Sequence, residues 1–231
     1  MALRVDGRFE GAPGRAQGGY TGGLLHDGQP RRVWFRSAIP LDIDLDVDAD
    51  GETVTVTRDG TLVIESHPIA PLSDPLERVS MDQAIAGRAW AEEAGFPDLI
   101  APCYSCGTRE GTLRTHPGQV ADGRIWAAPM TYPEWTGADG TVEPAHIWAV
   151  VDCAPGYPVA FGNPEPRFAF TGWISVDVRA PIEPGRQAIV VAAADPWDGR
   201  KRSARSALWT EDGDLIALSE SLWIQPALEA V

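Results

Sequence analysis

The chain has 231 residues, a hydrophobic fraction of 44% and a formal net charge of −14 at pH 7. This length fits one large domain or two smaller ones, and either can bury a core. The negative charge disfavours a nucleic-acid partner, and the sequence has no run of 18 apolar residues that would span a membrane. Because the N-terminus also lacks the apolar stretch of a secretion signal, the sequence predicts a cytoplasmic protein.

A glycine-rich segment at residues 16–26 is the first notable pattern. Tyr20 and Leu24, like Gly19 and Gly23, recur at a spacing of four, which is compatible with a short, tightly packed helix. Glycine weakens an isolated helix, so a glycine-rich loop is the alternative. In the helical interpretation, the glycines would let strands approach closely.

Residues 32–66 have the alternating pattern of antiparallel β-strands. Apolar residues alternate with aspartates across 43–48, and Asp–Gly pairs at 50–51 and 59–60 fit hairpin turns. The first part of the chain is therefore predicted to be one helix followed by an antiparallel meander.

The remainder of the chain begins with a connector and a second helix. Ser80 and Gln83 form a capping-box pattern before a helix predicted over 81–94. Pro144 suits the first turn of a further helix across 143–153. Strands are predicted at 112–116, 120–128, 172–179, 187–194, 204–210 and 215–224.

Three short sequence matches between the two parts recur in the same order. Residues 57–66 and 210–219 share Thr, Asp, Gly, Leu and Ser in register. The other matches pair 36–39 with 179–182 and 5–9 with 121–125. Ordered matches this far apart indicate a domain duplication rather than a solenoid. The predicted division is a first copy at 1–68, a linker with a helix at 69–100 and a second copy at 101–231.

Several catalytic classes are excluded by missing motifs. The sequence has no serine-nucleophile elbow, phosphate loop, dinucleotide fingerprint or H-E-x-x-H helix, so no cofactor is predicted. Cys103 and Cys106 form a single C-x-x-C, whereas zinc usually needs four ligands. A buried structural pair without metal is the favoured interpretation, and a metal site or a redox role are the alternatives.

Three motifs resemble one protein family. Residues 17–20 (Gln-Gly-Gly-Tyr) resemble the start of the central helix in hotdog thioesterases. Residues 103–107 with 111–114 resemble the C-x-x-C-G and G-L segment of the PaaI-like group, and residues 148–152 resemble that group's helix with its acid. The chain is similar to double hotdog acyl-CoA thioesterases. The resemblance implies an α+β fold, a duplicated (double) hotdog in which each copy packs a central helix on an antiparallel sheet.

The resemblance also implies a composite catalytic site. In this family the helix start comes from one copy and the acid from the other, which pairs Gln17, Gly18 and Gly19 with Asp152. Backbone N–H groups at the helix start, with the Gln17 amide, would polarise the thioester carbonyl. Asp152 would activate water as a general base, or attack the carbonyl directly.

The remaining site residues follow from the same comparison. Glu143 and His26 occupy the matching positions of a second, degenerate site. Basic residues around 200–205, or alternatively Arg31 and Arg32 just after the first helix, would bind the phosphates of CoA, although a solvated strand edge is the favoured interpretation of the 200–205 cluster. An aromatic acyl pocket lined by tryptophans and covered by the insertion 130–142 is also expected. The expected substrate-binding residues are Tyr20, Trp148, Arg200 and Arg202.

The predicted function is hydrolysis of a small-molecule acyl thioester, carried by CoA or by a carrier protein. The alternatives are a hotdog dehydratase or cyclase, and a non-catalytic ligand-binding or scaffold protein. A dehydratase would need a catalytic histidine, and a scaffold would have a closed pocket or Asp152 far from Gly18. The sequence leaves open a homo-oligomer.

Overall fold

The computed structural model describes residues 2–120 and 123–227. The first part of the chain holds one strand, a short helix, four strands and a second helix. In chain order these are β1 (Ala2–Leu3), α1 (Gly18–Gly23), β2 (Arg31–Phe35), β3 (Leu45–Asp50), β4 (Thr53–Arg58), β5 (Thr61–Pro68) and α2 (Met81–Glu93).

The second part repeats the order of one strand, one helix and four strands with longer elements, and it adds one short strand and a small hairpin. Its elements are β6 (Gly118–Val120), β7 (Ile125–Thr131), β8 (Gly137–Ala138), β9 (Thr141–Val142), α3 (Pro144–Phe161), β10 (Phe170–Val178), β11 (Gln187–Ala194), β12 (Lys201–Thr210) and β13 (Leu215–Ile224). None of the helices within 2–120 and 123–227 combines the length and apolar character needed to cross a bilayer.

The two copies join into one continuous sheet. Within the described residues it has 11 strands in the order β1-β3-β4-β5-β2-β10-β13-β12-β11-β7-β6. The strand that follows the helix in each copy lies at the centre, where β2 and β10 pair antiparallel with Trp34 opposite Trp173. Outward from this seam, β5-β4-β3-β1 mirrors β13-β12-β11-β7. The predicted duplication of a helix and an antiparallel meander is confirmed by this topology.

Two of the three sequence matches occupy equivalent positions in the copies. Residues 57–66 cover the β4–β5 hairpin and 210–219 the β12–β13 hairpin, while Arg36 and Arg179 directly follow β2 and β10. The third match is not equivalent, because residues 5–9 follow β1 whereas Gly123 precedes β7. Asp–Gly pairs are common in turns, which accounts for this coincidence. Ala121 and Asp122, which belong to the same match, lie outside the described residues.

The glycine-rich segment is a helix, and Gly19 and Gly23 face another helix rather than strands. A Cβ on Gly23 would lie 2.5 Å from Ala145 Cα, and one on Gly19 would lie 2.6 Å from the carbonyl oxygen of Trp148. The absence of these side chains lets α1 cross α3 at backbone contact distance. This close crossing brings the start of α1 to the middle of α3.

The two faces of the second copy are covered by different helices. Ala188 and Val190 of β11 belong to the core around α3, whereas Ile189 and Val191 belong to the cluster that includes Ala84 of α2. Because successive strand residues point to opposite faces, α3 and α2 lie on opposite sides of this sheet. A strand covered on both faces is apolar throughout, as the sequence of β11 is.

Two predicted strands differ from the structure. Residues 112–116 form no strand, because their backbone is bonded to the preceding turn: Leu113 N–H donates to the carbonyl of Tyr104, and Thr115 N–H to that of Ser105. The single strand predicted at 120–128 is two strands, β6 and β7, which pair antiparallel. The helix predicted at 143–153 begins as expected but continues to Phe161, and the other predicted elements are found within a few residues of their expected bounds. The predicted division at 68 and 100 stays a prediction.

Candidate active site

Asp152 lies in the middle of α3, on the helix that forms the centre of the core. Almost every residue of α3 is buried, and Asp152 is only 3% exposed. A buried carboxylate is costly unless it is hydrogen-bonded. Asp152 therefore needs hydrogen-bond donors within the protein.

Three donors from the two copies surround the carboxylate. Oδ2 accepts hydrogen bonds from the backbone N–H of Gly19 and from Nε2 of Gln17, both at 2.8 Å. Oδ1 accepts from the hydroxyl of Thr171, near the start of β10, at 2.9 Å. The structure thus brings Gln17, Gly19 and Asp152 into direct contact across the duplication, as the sequence predicts.

Gln17 is the N-cap of α1, and this role fixes the direction of its amide. Its Oε1 accepts a hydrogen bond from the backbone N–H of Tyr20. The Nε2 group must then point the other way, to Asp152 and, at 3.4 Å, to Sγ of Cys153. Both N–H bonds of the amide are engaged within the protein. The expectation that Gln17 donates directly to the acyl carbonyl is therefore replaced by a role in holding Asp152.

Gly18 retains an N–H group for a ligand. At the start of α1, the N–H of Gly19 is bonded to Asp152 and that of Tyr20 to Gln17. Gly18 lines the cavity described below, and its N–H makes no hydrogen bond to any of the described residues. With six residues, α1 contributes this individual donor rather than a strong helix dipole.

Thr171 was not identified by sequence reasoning. It lies beside an irregularity in the pairing of β10 with β13, between Thr171 and Trp173. A threonine at the start of a strand is ordinary in composition, so no local pattern marks it. Only the three-dimensional proximity of the β10 start to the middle of α3 shows its relation to Asp152.

The environment of Asp152 raises its pKa to about 6. Burial is the largest cause, because it penalises the charged form. Hydrogen bonds from Thr171, the Gly19 N–H and Gln17 oppose this shift by stabilising the carboxylate, while the nearby Cys103 adds to it. A carboxyl group with this pKa can accept and return a proton near neutral pH.

A cavity of about 510 Å³ opens beside the carboxylate. Phe168 and Phe170 are 47% and 44% exposed and belong to its wall, so they lie at its mouth. Among the described residues that line the cavity, Arg15 and Asp152 are the charged ones. Further aromatic side chains of the wall are Phe35, Tyr157, Phe161 and Trp223.

The predicted aromatic contacts are only partly correct. Tyr20 stacks on Phe9 with ring centroids 3.7 Å apart, and Trp148 is fully buried against the glycines of α1. Neither lines the cavity, so the expectation that they bind substrate is wrong for this pocket. Of the nine tryptophans, Trp223 alone contributes to its wall. The insertion 130–142 contributes no described residue, so it does not cover this cavity.

The basic cluster near residue 200 also differs from expectation. The Arg202 side chain is buried, and its guanidinium donates to the carbonyls of Pro158, Val159 and Asp195 at 2.6–3.0 Å. It therefore secures the end of α3 and is not available to bind phosphate. Arg200 is exposed and donates to the carbonyl of Gln225 at 3.2 Å, away from the cavity wall.

The alternative basic pair after α1 is engaged as well. Arg31 is 1% exposed and pairs with Asp27 at 2.7 Å. Arg32 donates to the Ser175 hydroxyl at 2.7 Å and stacks over the Trp173 ring. The contacts of Arg32 join β2 to β10 across the two copies, whereas Arg31 is held within the first copy. Both guanidinium groups are thus engaged within the protein.

The matching position in the second copy lacks the features of the first. Glu143 is the N-cap of α3, equivalent to Gln17 in α1, but its side chain caps no backbone N–H. Pro144 replaces Gly18 and has no N–H to donate. Burial lowers the pKa of His26, the counterpart of Asp152. These differences agree with the expectation that one of the two sites is degenerate.

Three free cysteines form part of the cavity wall. Cys103 and Cys106, expected as a buried pair, are joined by Cys153, the neighbour of Asp152 on α3. Among the described residues, their thiols are the group whose arrangement could hold a metal ion.

Neither protein-family models nor curated proteins show a match to this sequence. Solved structures do match over nearly the whole chain. A conserved protein of unknown function with a hot dog fold from Alicyclobacillus acidocaldarius is 17% identical, with a TM-score of 0.53, and the match covers 98% of this chain and 92% of that one. This likeness identifies the fold as hotdog.

Two further structures carry provisional thioesterase names. One, from Lactobacillus plantarum, is named an oleoyl thioesterase; it is 11% identical with a TM-score of 0.61, covering 98% of this chain and 96% of that one. The other, from Novosphingobium aromaticivorans, is 17% identical with a TM-score of 0.57, covering 98% and 95%. The predicted resemblance to double hotdog, thioesterase-like proteins is therefore confirmed at the level of the fold.

Proposed function

We propose that the protein hydrolyses an acyl thioester, with Asp152 as general base. The observation that carries this proposal is the position of Asp152: a carboxylate with three hydrogen-bond donors and a raised pKa at the wall of an apolar cavity. Thioester hydrolysis needs an activated water, a donor to the carbonyl oxygen and space for the acyl chain. Each requirement has a candidate in this cavity.

The proposed reaction uses one proton transfer in each direction. Water entering the cavity is held at Oδ1 of Asp152, beside the Thr171 hydroxyl, and Asp152 removes its proton as the oxygen attacks the carbonyl carbon. The N–H of Gly18 donates to the carbonyl oxygen, on which negative charge develops. When the tetrahedral intermediate collapses, the C–S bond breaks and protonated Asp152 returns the proton to the thiolate. Acid and thiol are the products.

Direct attack by Asp152 is the alternative form of the same reaction. It would give a mixed anhydride with the acyl group before water enters. A single turnover in oxygen-18 water detects a mixed anhydride that water opens at the aspartyl carbonyl. With a general base, the label enters the acid product in that turnover, whereas hydrolysis of an anhydride at the aspartyl carbonyl would leave the label on Asp152.

The geometry favours a thioester hydrolase over the two alternatives, a scaffold protein and a dehydratase or cyclase. A scaffold protein was expected to have a closed pocket or a distant Asp152, but the cavity is open and Asp152 touches Gly19. A dehydratase would require a histidine at the site, and neither His26 nor His146 lines the cavity. The apolar, aromatic wall suits a hydrophobic acyl group.

Release of free thiol from a panel of acyl-CoA thioesters is the direct test. We expect Asp152→Asn to lower kcat/KM by at least about 100-fold on the best substrate, because general base catalysis contributes about that factor. Asp177→Asn is the matched control, since Asp177 is equally buried but bonded to Arg179 and the Leu72 N–H away from the cavity. Full activity of Asp152→Asn would remove Asp152 from the mechanism.

A further inference from the structure

Three cysteine thiols from two distant segments meet beside Asp152. The sulfur atoms of Cys103, Cys106 and Cys153 all lie within 4.8 Å of one another, and those of Cys103 and Cys153 are 3.5 Å apart. All three residues are buried, carry free thiols and form part of the cavity wall. The cluster is therefore enclosed by protein yet in contact with a space that solutes can enter.

The loop that carries two of these thiols has a tight, defined shape. The N–H of Gly107 donates to the carbonyl of Cys103 at 2.7 Å, and that of Thr108 to the carbonyl of Ala101 at 3.2 Å. A Cβ on Gly107 would lie 2.5 Å from the Cys103 carbonyl oxygen, so only glycine fits there. The turn holds both sulfur atoms on the side that faces α3.

The turn also directs donors at one sulfur. The thiols of Cys106 and Cys153 and the backbone N–H groups of Cys106 and Ser105 surround the sulfur of Cys103 as hydrogen-bond partners. The thiolate is the form that binds metal ions. The Nε2 group of Gln17, 3.4 Å from Sγ of Cys153, adds an N–H donor to a second sulfur. Donors of this kind orient and stabilise metal-bound thiolates.

We propose that Cys103, Cys106 and Cys153 bind a zinc ion whose fourth coordination position faces the cavity. Tetrahedral zinc with Zn–S bonds of about 2.3 Å places its sulfur ligands about 3.8 Å apart. The observed sulfur–sulfur distances fit this value, because Cys103 and Cys153 are 3.5 Å apart and all three sulfur atoms lie within 4.8 Å of one another. Soft thiolate ligands favour zinc over magnesium or calcium, and three protein ligands leave a position for water or another small ligand.

The sequence argued against zinc because it offered a single C-x-x-C. Its two thiols are too few for a zinc site. The third ligand is Cys153, 50 residues from Cys103, which the packing of α3 brings to the loop. A disulfide would use only two of the three thiols and would require the 3.5 Å separation to close to about 2.05 Å. The proposed hydrolysis does not require this site, since no step of that reaction passes through the metal.

Cobalt titration tests the proposal directly. The full chain, without a polyhistidine tag, is reduced, stripped with a chelator and titrated anaerobically with Co²⁺. We expect thiolate-to-cobalt charge transfer in the near ultraviolet, the intense visible bands of tetrahedral cobalt, saturation at one ion per chain, and loss of all these bands when zinc is added. A thiol assay after denaturation should first find all three cysteines reduced.

Two variants decide whether these thiols are the ligands. Cys106→Ser should lose the charge-transfer band, whereas Ser105→Ala, on the same turn with all three thiols intact, should keep it. Circular dichroism checks that both are folded. Because ligands that bind only the folded state raise its Tm, zinc should also raise the Tm of the reduced wild type. A reduced, folded wild type without charge transfer, or a Cys106→Ser variant that keeps the band, would overturn the zinc site.

Discussion

The backbone N–H of Gly19 donates a 2.8 Å hydrogen bond to the carboxylate of Asp152, 133 residues further along the chain. This bond joins the helix of one copy to the helix of the other. It depends on the glycines that let α1 and α3 touch, so the same residues determine the packing of the helices and the position of the carboxylate. Substitutions at this contact should therefore change both the free energy of unfolding and the proposed activity, and the two effects can be measured separately.

Gly19→Ala should destabilise the fold, whereas Gly18→Ala should be tolerated. A methyl group at residue 19 would lie 2.6 Å from the rigid carbonyl oxygen of Trp148, and one at residue 18 would meet the Phe35 ring at 3.2 Å. Overpacking a rigid site costs about 1–3 kcal/mol, while an aromatic ring at a cavity can shift. Chemical denaturation of the two variants measures the difference. Equal stabilities would show that the crossing of α1 and α3 can relax.

The hydroxyl of Thr171 should control the pH dependence of hydrolysis. We expect kcat/KM of the wild type to rise with pH and to level off above about 6, as Asp152 loses its proton. Thr171→Val removes a hydrogen bond that lowers this pKa, so the inflection should move to higher pH and activity near pH 6 should fall. Thr171→Ser keeps a hydroxyl and should restore the wild-type profile. If the inflection stays at the same pH in Thr171→Val, the Thr171 hydroxyl does not control the pKa of Asp152.

Asp152 should also make folding stability depend on pH. Its pKa is about 6 in the folded protein, above the ordinary value of 3.8, so the folded state binds the proton more tightly than the unfolded state. The resulting stabilisation is complete below about pH 4 and is lost as pH rises through about 6. Asp152→Asn lacks this dependence. Relative to wild type, its free energy of unfolding should increase between about pH 4 and pH 7.5, by on the order of 3 kcal/mol.

Equilibrium denaturation of the two proteins across this pH range measures the effect. Asp177→Asn serves as the comparison, because it removes another buried carboxylate outside the cavity. A difference between Asp152→Asn and wild type that does not change with pH would contradict the raised pKa.

The sequence predicted the fold and two of the three hydrogen-bond donors to the Asp152 carboxylate, Gln17 and Gly19, but not Thr171. Alternating apolar residues and Asp–Gly turns are local signals, and they placed most of the meander strands correctly. Gln17, Gly19 and Asp152 followed from their resemblance to a family motif. Thr171 and Cys153 were missed as partners because their roles depend on contacts between distant segments. Arg202 was misjudged because its charge was visible in the sequence, whereas the carbonyls that bind it were not.

Arg202 should contribute to stability rather than to substrate binding. Its guanidinium satisfies the carbonyls of Pro158 and Val159 at the end of α3 and lies over the ring of Trp197. Arg202→Ala would remove charged hydrogen-bond donors from these carbonyls, which would keep only the Gly162 N–H and the Asn163 amide among the described donors, at a cost of about 1–3 kcal/mol. Arg200→Ala, which removes an exposed side chain nearby, should change the free energy of unfolding by less than about 0.5 kcal/mol. The free energies of unfolding of both variants are measured by thermal and chemical unfolding. If Arg202→Ala and Arg200→Ala changed this free energy equally, the structural role of Arg202 would be contradicted.

Arg15 is the remaining candidate for contact with an anionic carrier. It is exposed, lies over the ring of Phe170 at the mouth of the cavity, and is the cation in the described wall. In a protein of net charge −14, the phosphates of CoA need a local positive charge at this entrance. We expect Arg15→Glu to raise KM for acyl-CoA with little change in kcat, because the contact is equal in the ground and transition states.

The dependence on salt distinguishes this effect from damage to the cavity. Exposed charges are screened as ionic strength rises, so the difference in KM between Arg15→Glu and wild type should shrink at high salt. Arg200→Glu carries the same change of charge away from the cavity wall and should leave KM unchanged. Assays with an uncharged thioester, such as an acyl-N-acetylcysteamine, should show no effect of Arg15→Glu. A KM increase that persists with the uncharged substrate and at high salt would assign Arg15 to the shape of the cavity mouth instead of to the carrier.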